Sequence, residues 1–100
     1  MPSGVERLEE IRRRIDELDA AIIALLARRM HLAHEAKREK VRLNRPIRDE
    51  QRQAEVIAKW RERALNDDGT GTEVLSAELL EKLARLVIEY TVKSELEEQG

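Results

Sequence analysis

Cysteine is absent from the 100-residue chain, which excludes disulfides and thiolate metal sites and suits a reducing cytoplasm, the expected location. Phenylalanine is absent too. Trp60 and Tyr90 are the only aromatic residues, too few for a platform on which bases stack. Charge of one sign is also lacking. Charged residues make up 40% of the chain, yet they are interspersed and the net charge is −2. A nucleic-acid-binding domain would show a basic excess, so none is expected. No apolar run approaches the roughly 20 residues that span a bilayer, so no membrane segment is expected. The opening MPSGVERLEE has no apolar signal-peptide core. The length allows a single small domain, 1–100, that buries only a modest share of its surface and would gain from a partner subunit.

Glycine and proline are missing from residues 5–43. Leu8, Ile11, Ile15, Leu18, Ile22, Leu25, Leu26, Leu32, Ala33 and Ala36 recur there at the spacing of one helix face. A helix of about 38 residues would be about 57 Å long. Two short helices folding back cannot cover such a rod, so its length calls for a second copy of the chain. Pro46 is expected to stop this helix, because it disfavours the α conformation at Arg45. Asp49 can then cap a second helix over about 49–65, with Ala54, Val56, Ile57, Trp60, Ala64 and Leu65 as candidate buried positions. NDDGTGT, 66–72, reads as a loop. A third helix begins near Thr72 or Ser76 and runs to about 97, with a stripe of Leu79, Leu80, Leu83, Leu86, Val87, Tyr90 and Leu96. With no strand alternation, the fold class is all-α: one long helix and two shorter ones.

Polar residues interrupt these stripes. Arg29 stands where the first stripe should continue, and Lys40 lies eleven residues further on. At about 100° per residue Lys40 returns to nearly the same face, about 16 Å away. Either both side chains snorkel to solvent, or they grip a small anion between them. Arg12 is 17 residues before Arg29, about 25 Å along a straight helix. It reaches the same ligand only in an antiparallel pair of chains, and by itself reads as solvated. Thr91 and Glu95 continue the third stripe, four and eight residues after Val87. A carboxylate facing inward must be paired or protonated, unless fraying leaves Glu95 wet. His31 and His34 lie one turn apart but lack a third ligand, so no metal is expected. The remaining Arg/Glu alternation reads as a solvated, ion-paired surface.

Taken together, IRRRIDELDAAIIALLARRMHLA, Lys40 and RPIRDEQRQ resemble the AroQ-type chorismate mutases over about residues 7–97. The resemblance implies an all-helical, intertwined antiparallel homodimer. It also implies conversion of chorismate to prephenate by a Claisen rearrangement, in phenylalanine and tyrosine biosynthesis. Arg12 of the partner subunit and Arg29 would then bind the substrate carboxylates. Lys40 would hydrogen-bond the ether oxygen and a carboxylate, and Glu95 would face the ether oxygen. Asp49, Arg52, Gln53 and Thr91 would line the pocket, Gln53 near the substrate hydroxyl. The reaction needs no cofactor. Its demands are conformational restraint and donors that bind the transition state more tightly than the ground state.

Two positions depart from the commonest family pattern. Bacterial members often carry Glu where Gln53 stands, and many carry Gln where Glu95 stands. A glutamic acid donates to an ether oxygen only when protonated, so activity is expected to fall as pH rises and Glu95→Gln to flatten the profile. Two other functions compete. One is an isochorismate pyruvate lyase, which shares the fold and the cationic pocket. The other is a non-catalytic helical dimerisation or regulatory module. Activation by another shikimate-pathway enzyme is a further partner expectation.

Overall fold

The computed structural model describes residues 3–65 and 72–98. These form helix α1, Gly4–Arg42, helix α2, Glu50–Leu65, a 3-10 turn, Thr72–Val74, and helix α3, Ala77–Glu97. No strand occurs among the described residues. The expected boundaries hold to within a residue or so, except that most of the 66–72 loop lies outside the described residues.

Each helix begins with the same local device. Ser3 Oγ accepts from the Glu6 N–H at 3.2 Å, while Glu6 Oε2 accepts from the Ser3 N–H at 3.3 Å, a reciprocal capping box. The Asp49 carboxylate accepts from the Arg52 N–H at 3.0 Å, as expected of a cap. Ser76 does the same for the Leu79 N–H at 3.0 Å.

The end of α1 departs from expectation. Asn44, not Pro46, stops the helix. Asn44 adopts φ 57°, the left-handed conformation that Asn tolerates better than most residues. Its N–H donates to the Val41 carbonyl, and the Arg45 N–H reaches back five residues to the Lys40 carbonyl at 2.8 Å. That bond pair is a Schellman motif. Pro46 follows two residues later and blocks a restart.

The chain divides into two compact units between Glu35 and Ala36. In the first, α1 buries no residue. Leu8, Ile11, Ile15, Leu18, Ile22, Leu25 and Leu26 are all at least 42% exposed, although they form a continuous stripe. In the second, α2 packs along α3 around Val56, Ala84 and Val92. Ala84 is fully buried, and its small side chain lets neighbouring atoms approach closely. Glu81 ties the two helices at the surface, 3.4 Å from Arg61 and 3.5 Å from Arg85. Ile57, Trp60 and Ala64 are half-buried, whereas Ala54 and Leu65 are exposed, contrary to expectation. On α3, Leu80 and Val87 are half-buried, but Leu79, Leu83, Leu86, Tyr90 and Leu96 remain exposed. Two apolar stripes therefore stay largely uncovered in a single chain.

Candidate active site

Within the first unit, Arg12 is exposed and Arg29 half-buried, both on α1. The remaining candidates belong to the second unit. Lys40 is half-buried, and its Nζ donates to the Ile47 carbonyl at 2.9 Å. The Lys40 side chain therefore folds back on its own turn rather than extending into solvent. Its backbone carbonyl accepts from Arg45, so one residue fixes the turn through both main chain and side chain. That turn carries Asp49 to the start of α2.

Asp49 and Arg52 are exposed, and Gln53 half-buried. Arg52 Nη1 stands 3.6 Å from Glu55 Oε2 on the same helix, a surface pair that adds little stability and constrains the guanidinium weakly. Arg52 therefore remains able to turn toward a ligand.

Thr91 and Glu95 are the inward polar pair. Thr91 is 6% exposed, and its hydroxyl donates to the Val87 carbonyl at 2.6 Å. Such back-bonding satisfies a hydroxyl on a helix face. Glu95 is 4% exposed, so fraying does not leave it wet. Its Oε2 is buried with no hydrogen-bond partner. A buried carboxyl oxygen without a donor is costly, and its persistence needs a reason.

One buried cation is missed by the stripe reading. Lys37 is 6% exposed and is the only buried residue of α1. Its Nζ donates to the Glu98 carbonyl at 2.9 Å and stands 3.4 Å from Glu98 Oε2. Read by alternation alone, Lys37 belongs to the solvated surface. The signal for it is its position one turn before Lys40 together with the acidic segment that closes α3. His31 is exposed and His34 half-buried, and no three His, Asp or Glu side chains among the described residues gather as metal ligands. Among those residues no helix is long and apolar enough to cross a membrane.

The model of the chorismate mutase type II family matches residues 11–96. The chain belongs to that family. It is also 39% identical over 57 residues to a chorismate mutase of Methanocaldococcus jannaschii. The matched segment spans 57% of this chain and 58% of that protein. No solved structure matches the chain significantly. The family match begins just before Arg12 and ends just after Glu95, so it includes every candidate residue.

Proposed function

We propose that the protein is a chorismate mutase, an isomerase that rearranges chorismate to prephenate, and that it works as an antiparallel homodimer. Family membership over residues 11–96 carries this reading. The uncovered α1 stripe supports the dimer. A helix gains most of its stability by packing its apolar face, and exposed apolar patches of this kind mark association surfaces. A second copy laid antiparallel would cover the stripe and bring Arg12 of the partner subunit beside Arg29.

The chemistry asks little beyond shape and charge. One C–O bond breaks and one C–C bond forms within a single molecule, with no nucleophile and no proton transferred. Arg29 and Arg12 of the partner subunit would hold the two carboxylates, each through a planar, bidentate fork. That restraint selects the folded, chair-like substrate. As the C–O bond lengthens, negative charge grows on the ether oxygen. Lys40 would donate to it and Glu95 would face it, stabilising the transition state more than the ground state. The orphaned Oε2 of Glu95 supports that role: a carboxyl group already answered by protein donors would have no reason to engage a ligand. Lys40 must exchange its Ile47 bond for substrate, a near-even trade of one hydrogen bond for another. Asp49, Arg52, Gln53 and Thr91 would complete the pocket, with Gln53 near the substrate hydroxyl.

The test is loss of chorismate absorbance on mixing with purified protein, with prephenate identified as product. Arg29→Ala and Lys40→Ala should each lower kcat/KM by about 100-fold or more. A non-catalytic module would show no turnover and no response to either substitution. Salicylate and pyruvate as products would instead assign the lyase.

A further inference from the structure

Lys37 lies one turn before Lys40, and Glu98 one turn after Glu95, so each stands on the same helix face as an assigned residue. Lys37 and Glu98 meet directly. Lys37 Nζ donates to the Glu98 backbone carbonyl at 2.9 Å and approaches Glu98 Oε2 at 3.4 Å. Arg38 takes the other carboxylate oxygen, with Nη2 3.1 Å from Glu98 Oε1. Two consecutive residues of α1 thus hold both oxygens of one side chain.

The backbone bond has a second consequence. Glu98 is the C-cap of α3, and its N–H donates back to Ser94 at 3.1 Å. The carbonyl end of a helix carries partial negative charge, so a cation placed there is stabilising. The Lys37 side chain is 8% exposed and that of Glu98 24%, whereas the Arg38 side chain is 62% exposed. Lys37 is the dry member of the cluster, where an ion pair is least screened. Helix ends ordinarily fray, which would wet Glu95. Here the last turn is tied down on its far side, and Glu95 stays 4% exposed.

We infer that Lys37 and Glu98 are a positioning pair: their clasp holds the last turn of α3 so that Glu95 keeps its buried carboxyl aimed at the reacting ether oxygen. Lys37 does not touch substrate; it acts through Glu95. The inference rests on the chorismate mutase reading for its catalytic consequence, though not for the clasp itself.

Lys37→Met is the appropriate variant, because it removes the charge and keeps the volume, while Glu98 keeps its Arg38 partner and its access to solvent. It should lower kcat about tenfold with KM within about twofold, since a small displacement of a transition-state group costs mainly turnover. Lys37→Arg should restore most of the loss. In a Glu95→Ala background the same Lys37→Met change should have almost no further effect, as expected for residues acting as a unit. Amide hydrogen exchange at residues 95–98 should quicken about tenfold in Lys37→Met, with residues 79–90 unchanged. An equal loss of kcat in both backgrounds, or unaltered exchange at 95–98, overturns the proposal. Absence of mutase activity in the unsubstituted protein would sink the enzyme assignment instead, while the exchange measurement still decides whether the clasp exists.

Discussion

Substituting Ile22 by Asp tests the proposed dimer at its centre. Ile22 is 55% exposed in a single chain and lies midway along the uncovered stripe of α1. Full burial of an isoleucine side chain is worth about 1.5–3 kcal/mol, so covering the open half contributes about 1–1.5 kcal/mol per copy. An aspartate forfeits that and leaves an unanswered charge at the interface, at a further cost of about 3–5 kcal/mol. A two-fold interface counts every substitution twice, so the dimer loses on the order of 8–13 kcal/mol. At about 1.4 kcal/mol per decade, even half of that shifts the dissociation constant by about three decades. Light scattering and sedimentation at micromolar protein should find a dimer for the unsubstituted chain and a dissociated species for Ile22→Asp. Glu17→Ala, on the opposite side of α1 from the stripe, should remain dimeric. Complementation adds an arm that composition alone cannot mimic. Arg12→Ala and Arg29→Ala should each be nearly inactive, yet a re-equilibrated equimolar mixture should recover about a quarter of full activity. Half of its dimers are mixed, and each mixed dimer holds one intact site. A dimeric and active Ile22→Asp, or a mixture as inactive as its components, would refute the antiparallel arrangement.

The other predictions concern single side chains. Glu95→Gln, which keeps a donor for the ether oxygen, should retain most of kcat, whereas Glu95→Ala should lower it by about 100-fold, and steady-state kinetics showing an equal loss in both variants contradicts the proposed role. Ser76→Ala removes the hydroxyl that accepts from the Leu79 N–H and should destabilise α3 by about 1 kcal/mol. At fixed protein concentration that corresponds to a fall in Tm of about 4–8 °C by calorimetry, with kcat preserved.

What the sequence makes legible follows the range of the interaction. Asp49 is readable as a cap because its carboxylate needs only an N–H three residues away. The three-helix pattern is readable because apolar spacing is a local property. The α1 terminus is two residues less so: Pro46 is conspicuous in the sequence, but Asn44 makes the turn, and its left-handed conformation is a tolerance of that residue type rather than a demand. Which members of the apolar stripes are covered is not readable at all. Leu79, Leu83, Leu86 and Tyr90 have the right period on α3, and still the single chain leaves them open.

Glu95 shows why polar residues on apolar faces resist a purely local reading. From its own neighbourhood, burial and fraying are both open. The contact that decides lies some sixty residues away, where Lys37 and Arg38 hold Glu98. Once the chain is folded, that same contact separates two kinds of buried charge. Lys37 is buried and answered: its ammonium donates to a carbonyl and a carboxylate of its own chain. Glu95 is buried to the same degree and keeps an oxygen unanswered. Leaving a polar atom unpaired in the interior costs free energy on every folding event, whereas an answered ion pair does not carry that penalty. Under the proposed function, the reason for retaining the costly arrangement is the ligand. On that ground, and not on exposure or charge alone, the proposed function puts Glu95 in the chemistry and Lys37 in the scaffold that aims it.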